Sequence, residues 1–361
     1  MNMQSVKDEE ALRASALSLA FSLETPFLLK CAVRLKIPDI ISKAGPDVSL
    51  SVHEIAAQLP SEDPDMGALS RILTYLSSMG ILQAIVPPEG VNAPMNIKYG
   101  LTNLTKTYFT SDDISSRSLV PFALLQTHPV YVTAWDHIHE RVLHGGDNFK
   151  NSSGNGKDFW NFAAGDPELN AIFNAGMVSV TKATITDVLA VYDGFKDINT
   201  LVDVGGGRGE ALSLIIEAHP HIRAINFDLP QVIATAPTLP GVQHMSGNLF
   251  ESAPSADAIF MKNFLHSWND EDCIKLLNNC HQALPDKGKL ILSEAILDLT
   301  EGSDMIGSAN VLDSLMLNCL PGGGERTQKQ WNDLLQAAGF SISKIVGRNG
   351  TLTKVIEAIK S

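Results

Sequence analysis

The chain has 361 residues, 44% of them apolar and 19% charged, enough for two domains and a substantial core of ordinary globular composition. A formal net charge of −13 leaves no basic footprint from which a nucleic-acid backbone could release counterions, which argues against phosphate-backbone binding. No apolar run reaches the roughly eighteen residues of a membrane span. Asp8-Glu9-Glu10 stands before the mildly apolar stretch Ala14 to Leu23, where a signal peptide would need basic residues, so the expected location is the cytoplasm. Cys31, Cys273, Cys280 and Cys319 show no metal or disulfide spacing, which suits a reducing compartment. Cys273 and Cys280, seven apart in a helical pattern, are expected on one face as small apolar residues.

The first hundred residues read as mostly helical, with one broad apolar face formed by Leu17, Phe21, Leu28, Leu29 and Ala32, and a new segment starting at Pro38. Ser51-Val52-His53-Glu54 is a capping box that opens a helix running to about Leu59. A second helix, Met66 to Met79, ends at Gly80, a natural C′ residue. Ile81 to Ile85 and Lys98 to Leu101 flank a Pro/Gly/Asn-rich loop and read as a hairpin. Helix, helix, hairpin is the outline of a winged helix. A winged helix suggests DNA binding, but the candidate recognition helix carries only Arg71 as a basic residue, which a helix meeting phosphates would not. Its Leu69, Ile72, Leu73, Leu76 and Met79 are expected to serve a protein surface instead, and residues 1–117 are read as a homodimerisation domain.

Residues 118–361 are read as the catalytic domain. The chain is helical to about Tyr192, broken at Gly145-Gly146 and Asn151-Ser152-Ser153-Gly154. Strands and helices then alternate as in an α/β domain. Leu201-Val202-Asp203-Val204 is a strand, Gly205-Gly206-Gly207-Arg208-Gly209 a turn, and Ala211 to Ala218 an amphipathic helix. Ala224-Ile225-Asn226-Phe227 is a second strand ending at Asp228. In a doubly wound sheet these two strand ends face one crevice, where the turn and the carboxylate can hold two parts of one ligand. Further elements are expected at Ala258–Met261 (strand), Asp270–Ala283 (helix), Lys289–Leu292 (strand) and Gln328–Ala338 (helix), with a terminal hairpin from Phe340 to Ile359.

The turn is not the dinucleotide fingerprint G-x-G-x-x-G, because Glu210 occupies the third glycine position. The spacing Asp203-x-Gly205-x-Gly207-x-Gly209 resembles the first motif of S-adenosylmethionine (SAM) methyltransferases, in which the acid faces the cationic amino-acid end of the ligand. The plain alternative is a glycine-rich turn without a ligand; Asp203, the alternating glycines and Asp228 together weigh against it. A carboxylate after the second strand suits a ribose diol.

Three stretches converge on the same crevice: Lys262 to Trp268, Ser293-Glu294-Ala295, and Pro321 to Thr327. They bring one imidazole and two carboxylates within reach of each other. A sulfonium donor needs little activation, whereas a phenol of pKa near ~10 is roughly a thousandth ionised at neutral pH, a deficit of about 4 kcal/mol. A histidine is the side chain best poised to remove that proton as the oxygen attacks. His266 is therefore the candidate base, oriented by Glu294 and Glu325 as the third member of a triad orients its histidine.

From about Ala16 to Ile359 the sequence resembles plant-type SAM-dependent O-methyltransferases of the caffeic acid/flavonoid class, carried by LVDVGGGRGE, FDLP, MKNFLHSWNDEDC, LSEAIL and PGGGERT. The resemblance implies a Rossmann-like catalytic domain behind a winged-helix-like dimerisation domain. It implies that Asp203, Gly205, Gly207, Asp228, Leu229, Asn248, Leu249 and Lys262 bind SAM, with Lys262 on the adenine side. It also implies that Phe173, Met177, Ser267, Trp268 and Met316 meet the acceptor; Phe173 and Met177 stand i, i+4 on one helical face, where the residues alone would read as core. Two positions depart from the family pattern. Asn248 stands for an aspartate that accepts from the adenine amino group, an expected loss of order ~1 kcal/mol, and Ser267 stands for an aspartate after the catalytic histidine. The reading that follows is methyl transfer from SAM to a phenolic hydroxyl by a homodimer, without metal, since no clustered acidic metal site is present and the chemistry rests on the histidine. Alternatives are an N-acetylserotonin-type indole or alkaloid hydroxyl as acceptor, a relative that binds SAM without methylating, and a ligand-sensing winged-helix regulator.

Overall fold

The apolar runs after residue 200 build a seven-stranded sheet in the order β11-β12-β8-β7-β4-β5-β6. The structure is a computed structural model that describes residues 3–87, 96–111, 117–298, 309–320, 322–348 and 350–361. Its strands are β1 (Leu50–Ser51), β2 (Leu82–Ile85), β3 (Lys98–Leu101), β4 (Thr200–Val204), β5 (Arg223–Asp228), β6 (Val242–Ser246), β7 (Ala258–Lys262), β8 (Lys289–Glu294), β9 (Ile296–Leu297), β10 (Arg326–Thr327), β11 (Phe340–Val346) and β12 (Lys354–Lys360). Strands β6, β5, β4, β7 and β8 run parallel, and the β11–β12 hairpin closes the sheet antiparallel to β8. The central strands β4, β7 and β8 are apolar on both faces because helices cover both. The helix Asp270–Ala283 buries Cys273 and Cys280 together, as their spacing predicts.

The chain divides into two compact units, Met1–Pro129 with Ala171–Ser179, and Val130–Asn170 with Val180–Ser361. The first holds the winged-helix elements. Ser51 caps Val52–Ala56 with the full reciprocal capping box, Met66–Ser78 ends at Gly80 with φ +69, and β2 and β3 pair antiparallel. A short β1 adds a third strand against β3. Most of the loop between β2 and β3 (88–95) lies outside the described residues.

The partner surface expected from Met66–Ser78 is largely the unit's own core. Leu69, Leu73 and Leu76 are not offered to a partner surface: they are buried with Ile37, Ile55 and Tyr99 in the unit's own core, and Ile72 packs against that core. The unit needs this face of Met66–Ser78 to close its own interior. Among the described residues, Leu12, Leu17, Leu19, Phe21, Leu23 and Phe27 are exposed on Met3–Ala20, Glu24–Arg34 and the link between them, and Val48, Met79, Ile85, Val86 and Leu104 are exposed elsewhere in the unit. Among the described residues no single helix is long and apolar enough to cross a membrane.

Candidate active site

The glycine turn leaves β4 with Gly205 at φ +67 and Gly207 at φ +60, both in the region that L side chains rarely adopt. A Cβ at Gly205 would also stand 2.3 Å from the Phe264 ring, so glycine is needed there for space as well. Asp228, at the end of β5, ties the turn down: its Oδ2 accepts from the Gly207 N–H at 2.8 Å and its Oδ1 from the Leu229 N–H at 2.7 Å. Each oxygen retains lone pairs for a diol. Asp203 is buried on β4 with Oδ2 unpartnered, and burial pushes its carboxyl up to about 8 despite Lys262 nearby. Lys262, at the end of β7, is pulled below the ordinary lysine range by burial, opposed by Asp203 and Glu294. An unpartnered buried carboxylate oxygen beside a glycine turn that lacks side chains fits a cationic ligand with a ribose, which is the donor chemistry of SAM.

Asn248 and Leu249 follow β6. Leu249 is buried, and Asn248 Oδ1 accepts from the Phe250 N–H at 3.0 Å while its Nδ2 donates to Glu251 at 3.3 Å. Two further polar residues, to which the sequence assigns no role, support the turn. Asn226, fully buried in β5, donates from Nδ2 to the Gly207 carbonyl at 2.9 Å and stands 3.1 Å from His244 Nδ1. His244 Nε2 lies 2.9 Å from the Pro237 carbonyl. The network assigns the imidazole as acceptor at Nδ1 and donor at Nε2. A polar residue amid the apolar run of a central strand is costly without partners, and that was the available signal.

Asn263 turns the chain out of β7 at φ +48, with its N–H on the Ser293 carbonyl at 3.1 Å. The 3-10 turn Leu265–Ser267 follows, carrying His266 at 6% exposure. His266 Nδ1 stands 2.7 Å from Glu325 Oε1. Glu294, fully buried at the end of β8, accepts the Phe264 and Leu265 N–H groups at 2.8 and 2.9 Å, so it holds the backbone that precedes the histidine. Polar atoms of all three residues lie within 4.8 Å of one another. Their convergence has a local cause: β9, which begins two residues after Glu294, pairs in parallel with β10, which begins directly after Glu325. Glu325 is fixed in turn by its N–H on Asp313 at 2.8 Å.

Burial lowers the basicity of His266, but the hydrogen bond to Glu325 and the charges of Glu294 and Glu325 outweigh it, and its pKa lies above the ordinary histidine value. Burial likewise raises Glu294, against the two N–H groups it accepts. Trp268 packs edge-on to Phe250 with centroids 5.0 Å apart and leans on Phe264 at 6.5 Å; Ser267 is half-buried beside it. Met316 is buried with Ala295, Ala309 and Leu312. Phe173 and Met177 lie four apart, both half-buried, on Pro167–Val191, within the first unit. Pro321, the start of the PGGGERT turn, lies outside the described residues.

The O-methyltransferase domain family matches residues 135–341, and the O-methyltransferase dimerisation domain family matches residues 17–111. Caffeic acid 3-O-methyltransferase of Medicago sativa is 39% identical over 357 residues, covering 98% of this chain and 96% of that protein. The enzyme of the same name from Prunus dulcis is 40% identical over 342 residues, covering 94% and 92%. Among solved structures, human N-acetylserotonin methyltransferase in complex with SAM matches with a TM-score of 0.81 at 20% identity, covering 97% of this chain and 98% of that one. A methyltransferase of calicheamicin biosynthesis, in its SAH-bound form, matches with a TM-score of 0.81 at 23% identity over the full length of both chains. With its glycine turn, its strand-end acids and both family domains in place, the chain belongs to the SAM-dependent O-methyltransferases.

Proposed function

We propose that this enzyme methylates a phenolic hydroxyl of a small aromatic molecule, with His266 as general base. The observation that carries the reading is the 2.7 Å contact between His266 Nδ1 and Glu325. A carboxylate there keeps the proton on Nδ1 and leaves Nε2 free to accept one from the substrate. Bound SAM supplies a methyl group on a sulfonium, which carries its own leaving group. His266 takes the phenol proton as the oxygen attacks that methyl, and Glu325 and Glu294 stabilise the imidazolium. Product release is then release of a methyl ether and S-adenosyl-L-homocysteine, with the proton passing from Nε2 to solvent.

Asp203, Gly205, Gly207, Asp228, Leu229, Asn248, Leu249 and Lys262 are assigned to the cofactor, and Phe173, Met177, Ser267, Trp268 and Met316 to the acceptor, by their match to the family motifs. Residues 1–117 form the homodimerisation part and 118–361 the catalytic part; the two matched family domains fall on either side of that boundary. The dimer is assigned to the exposed apolar face of the first helices, and the enzyme to the cytoplasm, without a nucleic-acid or membrane partner.

The test is transfer of labelled methyl from SAM to a panel of hydroxycinnamates, flavonoids, stilbenes, N-acetylserotonin and phenolic alkaloids. Turnover of one phenolic class supports the reading. Turnover confined to N-acetylserotonin or alkaloids moves the acceptor class, and SAM binding without any turnover contradicts the proposed activity.

A further inference from the structure

The PGGGERT stretch contributes more than Glu325. Arg326 is 6% exposed, and among the described residues its guanidinium meets the turn that carries His266 and the helix that follows it. Nη1 donates to the Leu265 carbonyl at 3.2 Å and Nη2 to the Trp268 carbonyl at 2.9 Å. Nε and Nη2 both reach Asp270 Oδ1, at 2.9 and 2.8 Å, and Nη2 lies 3.5 Å from Cys273 Sγ. The plane is backed by Trp331, 5.3 Å to the ring centroid, whose own N–H is held by the Ala295 carbonyl at 2.9 Å. The same segment is touched twice more, by the Gly324 N–H on the His266 carbonyl at 2.8 Å and by Gly323, where a Cβ would stand 2.6 Å from that carbonyl.

Burying a guanidinium is costly unless its donors are matched, and here they are matched to two carbonyls of the catalytic turn and to Asp270 at the start of the next helix. Asp270 is the only carboxylate among these contacts, and it reaches solvent with its side chain 69% exposed. A lysine could neutralise Asp270, but its single ammonium lacks the rigid fork that meets two carbonyls and a carboxylate at once.

We infer that Arg326 is a positioning residue for the base: its fork grips the carbonyls before and after His266 and so sets where the imidazole stands against Glu325. The inference rests on the proposed role of His266. Adjacent residues thereby divide the task, Glu325 holding the ring and Arg326 the backbone beneath it. The charged groups that face His266 are Glu325 from the PGGGERT turn, Glu294 from β8 and Lys262 from β7; Asp270 and Cys273 face Arg326 from the following helix.

The experiment compares Arg326→Met, Arg326→Lys, Asp270→Asn and His266→Ala in the full-length enzyme. It reads kcat, KM for both substrates, S-adenosyl-L-homocysteine affinity and the pH profile of kcat/KM. Arg326→Met is expected to bind S-adenosyl-L-homocysteine within about threefold of wild type while kcat falls about 10²-fold, the scale of a misplacement of about 1 Å. Its acid limb moves to lower pH, because a loosened His266–Glu325 contact no longer raises the imidazole. Arg326→Lys recovers part of the rate, and Asp270→Asn shifts kcat and the limb in the same direction by a smaller amount. If Arg326→Met does not fold, Asp270→Asn decides. Wild-type kcat and an unmoved limb in the deciding variant overturn the inference, as does a loss of rate matched by equal loss of cofactor-product binding with the limb unmoved. Full activity in His266→Ala overturns the base assignment itself. An inactive His266→Ala beside an unaffected Arg326→Met overturns only the role of Arg326.

Discussion

His266 and Glu325 stand 59 residues apart in the chain, yet Nδ1 and Oε1 meet at 2.7 Å in a buried site. Burial alone would make this imidazole a weak base. The carboxylates beside it reverse that and lift its pKa above the ordinary histidine value. Since a general base works in its neutral form, kcat/KM is expected to rise with pH along an acid limb above about 6.5 and reach its plateau on the alkaline side.

Glu325→Gln removes the charge and most of the raising effect while preserving shape. The acid limb should then move to lower pH, because burial is left to dominate, and the plateau should fall about 10²-fold. A pH profile of kcat/KM for the two proteins checks both at once. A limb that stays in place would detach Glu325 from the base.

Asp203 gives a stability prediction with a definite sign. Its carboxyl is held up to about 8 by burial, against about 3.9 in an unfolded chain, in the cofactor-free protein. Its contribution is full below the unfolded value and lost as pH rises toward the folded one. Asp203→Asn removes that loss, so its Tm advantage over wild type should widen between about pH 5 and pH 8. The same variant should bind SAM more weakly. Thermal melts across pH and cofactor titration test the two halves separately.

The strands were legible because their apolar runs give way to polar residues, Asp203, Asp228, Lys262 and Glu294, at or near the carboxyl ends of parallel strands. β6 was not, since an edge strand only half-buried along Val242–Ser246 carries no continuous apolar run. β9 and β10, two residues each, are below any periodicity, although they bring Glu294 and Glu325 together. An amphipathic helix shows that it buries one face but not whose interior receives it, and Leu69, Leu73 and Leu76 turned out to fill their own unit. Asn226 passed unread because a polar residue inside an apolar strand signals a buried partner without naming it, and Arg326 because it sits in a two-residue strand that shows no period.

Asn226 supports a prediction about cofactor affinity. Its amide links the Gly207 carbonyl to His244, so Asn226→Leu leaves a buried carbonyl and an imidazole nitrogen without a donor. The cost should be about 1–3 kcal/mol of stability and a SAM affinity lower by about tenfold, measured by calorimetry. Unchanged affinity in the folded variant would show that the turn keeps its shape without the clamp.

Leu19 and Phe21, 68% and 60% exposed, belong to the apolar face of the first helices. Leu19→Glu with Phe21→Glu should convert the dimer to monomer in light scattering, because charge at the centre of an apolar interface is left desolvated. A dimer that survives would move the interface elsewhere.

Removal of the acceptor proton by His266 is tested by single-turnover methyl transfer in His266→Gln, measured alongside S-adenosyl-L-homocysteine affinity. The predicted result is transfer slowed by about 10²-fold or more with cofactor-product affinity near wild type. Transfer at the wild-type rate in that variant would contradict proton removal by His266.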